Sequence, residues 1–422
     1  MLIIYRSIIN ILFPIIIIFV LVRTLLNKED KVRFKEKLFS SSFNVLRDKK
    51  KKLIWFHAAS IGELNSIIPL VNKLNKDREF DFLITTTTLS SSNLMKQKLF
   101  RDKNIIHRFL PIDKLSLVKK FLDEWSPNLI FFVDSEIWPN FLLEIKKRYL
   151  PIVLLNARIT KKTFLRWNLI PKSAAKIFDT FTICLSSSKE SKKYLDKLNV
   201  KNTKYYGNLK LTLENISNNL DNKNKEILKN NKFWCAVSTH EKEDVFCLKT
   251  HLEIKKIHQN IKTIIIPRHL DRVKKIKTIG EKLSLKTQIL SDSQLIDDNK
   301  EIIVINSYGV ISNYLSFCKS VFIGKSMIKK LKHVSGQNPI EAAKLGCKIY
   351  HGPYVYNFKE IYDQLNEYGI SSKIEDELEL ANNLTDDFNK LDKINKNQLD
   401  IINNLGIKIL NDTYNEINKI SF

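Results

Sequence analysis

The chain has 422 residues and carries 70 Lys and Arg against 45 Asp and Glu, a formal charge of +25. With 44% apolar and 10% aromatic residues it can bury a sizeable core, which excludes a disordered chain. At about 150 residues per domain, the length predicts two or three domains. Only one segment approaches a membrane-spanning length, so a polytopic membrane protein is excluded as well. Asn, Lys and Ile are heavily used at the expense of Gly and Ala, a bias of genomic character that accounts for part of the positive charge. Cys184, Cys235, Cys247, Cys318 and Cys347 form no C-x-x-C pair, and four of the five sit in or beside apolar runs. They read as small core residues in a reducing compartment, with no disulfide framework and no zinc site.

Residues 8–22 are apolar except for Asn10, with Pro14 among them. Leu2 to Tyr5 extend the run, and Arg6 can snorkel. No small-residue cleavage site follows, since the first alanine is Ala58, so a cleaved secretory signal is not expected. The run is followed by Arg23, Lys28, Lys31, Arg33, Lys35 and Lys37, then Arg47 and Lys49 to Lys52, and is preceded only by Arg6. That asymmetry predicts a membrane-anchoring helix over residues 1–27, single-pass or monotopic, with everything after residue 23 on the cytoplasmic side of a membrane. The basic flank would also be drawn to anionic lipid head groups. A buried core helix is the alternative reading.

From residue 53 onward, short apolar runs alternate with amphipathic stretches. Strand-like runs fall at 53–59, 80–87, 129–133, 151–156 and 181–185, with helical patterns between them at 63–74, 137–148 and 189–198. A second series follows at 233–237, 263–266, 301–305, 320–323 and 348–350, and the chain reads as helical after residue 376. Continuously apolar strands alternating with helices predict parallel sheets buried on both faces. The expected fold class is α/β, two tandem Rossmann-like doubly wound domains facing a cleft. The first spans residues 28–211 and the second 233–422. Residues 212–232, rich in Asn, Lys and Glu, form the linker.

Ligands in such sheets bind outside the carboxyl ends of the strands, so the loops there are the places to look. Phe56-His57-Ala58-Ala59-Ser60-Ile61-Gly62-Glu63 ends the first strand and starts a helix with a carboxylate. Val133-Asp134-Ser135-Glu136-Ile137-Trp138-Pro139-Asn140 ends another. Its Asp-Ser-Glu resembles a metal-binding triplet, or equally a helix N-terminal charge that favours the dipole. Tyr206-Gly207-Asn208-Leu209-Lys210 precedes the linker. Ser238-Thr239-His240-Glu241 and Pro267-Arg268-His269-Leu270-Asp271-Arg272 end two strands of the second domain. Five of the ten glycines lie between residues 309 and 352, a stretch that includes Gly336-Gln337-Asn338-Pro339-Ile340-Glu341. There Asn338 suits a helix N-cap, Pro339 the first helical position and Glu341 the first turn. Such a helix start can hold a phosphate or be an ordinary capped helix. No H-E-x-x-H, G-x-S-x-G, P-loop or G-x-G-x-x-G motif occurs.

Taken in order, these segments resemble the bacterial 3-deoxy-D-manno-octulosonic acid (Kdo) transferases of lipopolysaccharide assembly, from the N-terminal helix to about residue 360. The resemblance rests on residues 55–63, 135–140 and Asn156-Ala157-Arg158, then 207–210, 238–241, 267–269, 336–341 and Gly352-Pro353. It implies a GT-B fold and an inverting glycosyltransferase that takes Kdo from CMP-Kdo to the lipid A precursor lipid IVA, with neither a metal nor another cofactor. It further implies Glu63 as the catalytic base and Glu136 and Lys210 as transition-state stabilisers. Pro267 and Arg268 would contact CMP, and Tyr308, Gly309, Val310, Asn338, Pro339, Ile340 and Glu341 would complete the nucleotide site. The chain departs from the family at Asn306-Ser307-Tyr308-Gly309-Val310-Ile311, where the usual D-T-x-G-E-L has a carboxylate after its glycine. It departs again at Gly324-Lys325-Ser326 in place of Gly-Gly-Ser, and at Gln337 in place of a frequent histidine.

Lys161, Lys162, Arg166 and Lys172, interleaved with Phe164, Leu165, Trp167 and Leu169, suit a lipid surface or, equally, a solvated helix face with some core residues. The expected partners are therefore CMP-Kdo, the lipid A precursor and inner-membrane lipids, with no nucleic acid. Three alternatives compete: a GT-B transferase using another nucleotide sugar such as a UDP-sugar, an inactive structural relative, and a membrane-tethered basic nucleic-acid-binding protein. The last lacks any RRM, KH or zinc-finger signature.

Overall fold

Runs of Ile, Leu, Val, Phe and Trp with no polar alternation become the interior strands of two parallel sheets. The computed structural model describes residues 2–43, 47, 49–76, 79–98, 102–213, 220–292, 294–390 and 396–422. The chain divides into two units, Met1–Leu213 with Gly406–Phe422, and Glu214–Leu405. In the first unit the strands are β1 (Leu53–His57), β2 (Asp81–Thr86), β3 (Ile105–Phe109), β4 (Leu129–Val133), β5 (Ile152–Ala157), β6 (Ile183–Ser186) and β7 (Thr203–Tyr205). They form a sheet in the order β3-β2-β1-β4-β5-β6-β7. In the second unit they are β8 (Phe233–Thr239), β9 (Lys262–Pro267), β10 (Thr287–Leu290), β11 (Ile302–Ile305), β12 (Ser320–Ile323), β13 (Lys348–His351) and β14 (Ser371–Lys373). Their order is β10-β11-β9-β8-β12-β13-β14. Strand pairing is parallel in both sheets, for example Trp55 opposite Leu83 and Ile130, and Ala236 opposite Ile265 and Phe322.

The first core gathers round Trp55, which is fully buried and lies 5.1 Å from Phe121, 5.4 Å from Phe132 and 5.5 Å from Phe141 between ring centroids. Its indole N–H donates to Thr85 Oγ1 at 2.9 Å. Trp55→Ala removes the ring and its bond together. Urea unfolding should show a loss of about 3–5 kcal/mol in the first unit, the usual cost of emptying a buried aromatic site. A loss below about 1 kcal/mol would mean the site collapses without cost. All five cysteines are buried, and none of them is in a disulfide.

The sequence reading and the structure differ in three places. Residues 212–232 were expected to link the domains, yet the segment from Leu220 already belongs to the second unit. Its helix Asn222–Asn230 buries Leu228, and the Asn224 side chain donates to Gln294 O at 3.0 Å and accepts from Ile296 N at 2.8 Å. An asparagine that reads as loop is here a structural clip. Residues 406–422 were assigned to the second domain, but the last helix, Lys396–Ile417, runs out of the second unit and ends in the first. There Glu416 accepts from Lys204 at 2.6 Å and Tyr206 at 2.8 Å, and Phe422 packs on Phe80 at 5.7 Å. Finally, the N-terminal helix Leu2–Leu25 is long and apolar enough to cross a membrane and, as the main reading expects, is not a core helix; what differs is the part played by Arg6. Val20 is its one buried residue, while Ile3 is 79% and Ile11 73% exposed. Arg6 does not snorkel; its Nε donates to Asn140 Oδ1 at 2.8 Å.

Candidate active site

In the first sheet the strand order reverses between β1 and β4, which places a crevice outside their carboxyl ends. The two loops there carry Glu63 and Glu136. The helix Ile61–Leu74 opens with a capping box, because Ser-x-x-Glu lets each side chain satisfy the other's end of the first turn. Ser60 Oγ accepts from Glu63 N at 3.4 Å and donates to Glu63 Oε1 at 2.9 Å, while Glu63 Oε2 accepts from Ala59 N at 2.7 Å. Each carboxylate oxygen keeps a free lone-pair direction. The neighbouring Gly62 faces open space, since a Cβ there would meet nothing within 4 Å. Burial pushes the Glu63 carboxyl up to about 6, and the negative charges of Asp134 and Glu136 push the same way.

At the same crevice Glu136 is shifted the opposite way. Its Oε2 accepts from Trp138 Nε1 at 2.7 Å and lies 3.1 Å from His57 Nε2. A carboxylate only accepts, so His57 carries hydrogen on Nε2. The fully buried His57 ring is held from behind, with Nδ1 3.0 Å from Thr85 Oγ1 and 3.2 Å from Thr85 O. Burial works to raise the Glu136 carboxyl, but the bonds from His57 and Trp138 outweigh it and hold the group below its ordinary value.

Lys210 arrives from beyond β7, at the far edge of the sheet, because two asparagines pull its segment back. Asn208 Oδ1 accepts from Lys210 N, and Asn156 Oδ1 accepts from Leu209 N, each at 3.0 Å. Lys210 Nζ then meets Asp134 Oδ2 at 2.8 Å, while Asn156 Nδ2 donates to Asp134 Oδ1 at 2.5 Å. Asp134 and Asn156 have left-handed backbones, φ 56° and 53°, a conformation in which these residue types are enriched and which concentrates at functional sites. The Asp134-Ser135-Glu136 triplet does not converge: Asp134 holds Lys210, Ser135 donates to Arg158 O, and Glu136 holds His57 and Trp138.

In the second sheet the order reverses between β8 and β12. Pro267 closes β9, and Arg268 N donates to Thr239 O at 3.1 Å, leaving the Arg268 side chain exposed. Tyr308 follows β11 and is 70% exposed, Gly309 has φ 78°, and Val310 caps the helix Ile311–Leu315. These loops thus leave neighbouring strands at one edge of the second unit. The helix Ile340–Lys344 begins one residue later than expected: Pro339 is its N-cap rather than its first helical residue, and Asn338 lies outside it, though Asn338 Oδ1 still accepts from Ile340 N at 3.2 Å. Glu341 sits in the first turn as expected. Gly336 N donates to Lys325 O at 2.8 Å, tying this segment to the loop after β12. The second-unit candidates therefore gather at one sheet edge, as Glu63, Glu136 and Lys210 gather in the first unit.

Sequence reasoning did not single out His57 or Asp134 as site residues, and it missed Glu243 altogether. Glu243 is 1% exposed, and its carboxylate accepts from four backbone N–H groups: His240 at 2.9 Å, Lys325 at 2.7 Å, Ser326 at 2.8 Å and Met327 at 3.0 Å. Gly324 makes this possible, because a Cβ there would come within 2.6 Å of Ser238 O. Lys325 follows with φ 58°, a left-handed backbone. The signal in the sequence was the pair Glu243-Asp244 opening a helix directly after a strand-end loop. His240 lies beside them, its ring 5.6 Å from that of His269. Burial keeps its imidazole below the ordinary histidine value, with the charge of Lys325 adding to the effect.

Two parallel α/β units, each with its candidate loops at the carboxyl ends of its strands, define a GT-B fold. Solved structures bear out the fold. The chain aligns with a UDP-N-acetylglucosamine 2-epimerase from Neisseria meningitidis at 14% identity and TM-score 0.58, covering 87% of this chain and 100% of the other. It aligns with a glycosyltransferase from Rickettsia africae at 13% identity and TM-score 0.56, covering 88% and 100%. The family model described as 3-deoxy-D-manno-octulosonic-acid transferase matches residues 32–213. The 3-deoxy-D-manno-octulosonic acid transferase of Rickettsia bellii is 31% identical over 347 residues, 81% of this chain and 80% of the relative. The chain belongs to the Kdo transferase family and is a glycosyltransferase.

Proposed function

We propose that this chain transfers Kdo from CMP-Kdo to the lipid A precursor lipid IVA, with inversion at the anomeric carbon, at the cytoplasmic face of the inner membrane. The observation that carries the reading is the placement of two differently held carboxylates at the ends of adjacent strands: Glu63, bonded by Ser60 and Ala59 and raised to about 6 by burial, and Glu136, bonded by His57 and Trp138 and held below its ordinary value. Such a pair marks acid–base assignments. Glu63 takes the proton from the acceptor hydroxyl, whose oxygen forms the new bond to the anomeric carbon. The bond from that carbon to the phosphate oxygen breaks, and CMP leaves with the electron pair. A single base opposite the leaving group gives inversion, by the logic of inverting glycoside hydrolysis. Glu136 faces the positive charge that develops on the sugar, and Lys210, steered by Asp134, faces negative charge. The scheme uses no metal or other cofactor.

Pro267 and Arg268 bind the cytidylate, with the segment Tyr308, Gly309 and Val310 and the helix start Asn338, Pro339, Ile340 and Glu341 completing its site. Without a carboxylate after Gly309, contacts from that loop come from backbone. Arg268→Ala removes a charge-assisted bond to phosphate, so the KM for CMP-Kdo should rise by about tenfold to a hundredfold while acceptor binding stays unchanged. Equal loss of both would remove Arg268 from the donor site. The deciding experiment incubates the enzyme with CMP-Kdo and a tetraacylated, bisphosphorylated disaccharide lipid and weighs the product by mass spectrometry. Turnover with UDP-hexoses and none with CMP-Kdo would end this reading.

A further inference from the structure

The helix Leu2–Leu25 has two faces that serve different surroundings. Ile4, Ile8, Ile11, Ile15, Ile18 and Val22 recur at helical spacing along one side and are 47–73% exposed. The opposite side is fastened to the first unit along its whole length. Near the start, Tyr5 Oη donates to Asp113 Oδ2 at 2.7 Å and Arg6 Nε donates to Asn140 Oδ1 at 2.8 Å. In the middle, Phe13 packs against the core of the first unit, with Lys114 Nζ 3.9 Å from its ring centroid. Towards the end Val20 is buried, and Arg23 Nε donates to Glu29 Oε1 at 2.8 Å. Glu29 is itself held by Lys37 at 2.6 Å, and Lys37 donates onward to Thr87 O, beside the end of β2.

These fastenings conflict with a crossing. Tyr5 and Arg23 are separated by about 27 Å of helix rise, close to the roughly 30 Å of bilayer hydrocarbon. A helix that crossed would carry Tyr5 to the far side and leave Arg23 on the near side. Both ends are instead bonded to one folded unit. We propose that Leu2–Leu25 lies in the plane of the membrane, its inner face seated on the first unit and its outer face immersed in the cytoplasmic interface of an anionic bilayer. The exposed Lys28, Lys31 and Lys35, with Val32 74% exposed among them, continue the same lipid-facing chemistry past the helix end. The inference rests on the membrane reading given under Proposed function and settles how the helix meets the bilayer.

The seating also has a link to the site. Asp113 accepts from Asn140 N at 3.0 Å and Phe141 N at 2.9 Å, and so caps the helix Pro139–Lys147 that begins one residue after Trp138. Trp138 in turn holds Glu136. The element that touches lipid and the loop that bears Glu136 are thus fixed to a common point.

The test uses the full chain bearing Leu2→Cys, or Ile3→Cys should the first fold poorly, with the parent chain as blank because its five cysteines are buried. Sealed inverted inner-membrane vesicles from expressing cells, cytoplasmic face outward, are treated with a membrane-impermeant maleimide before and after opening with detergent. The in-plane helix gives essentially the same labelling in both. Labelling that appears only after the vesicles are opened puts the N-terminus on the far side and overturns the proposal. A chain found wholly in the soluble fraction would sink the membrane reading, and this inference with it.

Discussion

Glu63→Gln should lower kcat by about 10²- to 10⁴-fold, the range for loss of a positioned general base, while the KM for CMP-Kdo stays within about twofold. The substitution separates chemistry from structure unusually well. Gln at the third helical position still completes a capping box, so the helix Ile61–Leu74 keeps its first turn. Linkage points the same way. The carboxyl is raised from 4.5 to about 6 in the folded chain. Its ionisation equilibrium therefore favours the fold below about pH 4.5, and that contribution is lost as pH rises through about 6. Replacing it with a neutral amide should not destabilise the protein at pH 7. The parent enzyme should show kcat/KM rising with pH, with an acid limb near 6, where Glu63 becomes the free base. Stopped-time product assays across pH 4.5–8 measure both effects. Retained turnover in Glu63→Gln, or an unchanged acid limb in a residually active variant, would remove Glu63 from the role.

The second large effect is expected at Glu136. Glu136→Gln keeps the shape and removes the charge, so kcat should fall by about 10²- to 10³-fold, the usual cost of losing one electrostatic stabiliser. The amide also disturbs local bonding. His57 Nε2 and Trp138 Nε1 both approach the same oxygen, at 3.1 and 2.7 Å, and a flipped amide would set N–H against N–H. A more discriminating readout lies in the pH profile. Because the Glu136 charge helps to raise Glu63, the variant's acid limb should move below that of the parent. A loss of kcat with the limb fixed would mean that the two carboxylates do not sense each other.

What could be read beforehand follows a physical boundary. The ten interior strands of the two sheets are those whose apolar runs were recognised; the four missed, β3, β7, β10 and β14, are the four sheet edges. An interior parallel strand is buried on both faces and so is apolar along most of its length: β4 throughout, β1 up to His57 and β5 up to Asn156, the polar residues falling at the carboxyl ends. An edge strand is short and half wetted, as in Thr203–Tyr205, and its residues carry no comparable pattern. The site divides in a similar way. Glu63 was visible because Gly62-Glu63 at a strand-to-helix junction is a local signal, and its role came from the family resemblance. Lys210 was placed by motif, but its partner Asp134 is 76 residues away, and only the fold brings them together. His57 sits inside a recognised segment, yet its role depends on Thr85 and Glu136, which lie on other strands and loops. Glu243 left only a faint trace, an acidic pair at a helix start, because the groups it serves are backbone amides, which have no letter in the sequence.

Glu243 also decides what orders the loop it serves. Its carboxylate takes the amides of His240, Lys325, Ser326 and Met327, so the loop after β12 owes its shape to a side chain of the protein itself. Truncating that side chain would strand four backbone donors inside the fold, the kind of vacancy that is costly because each donor gave up its water to make the bond that is lost.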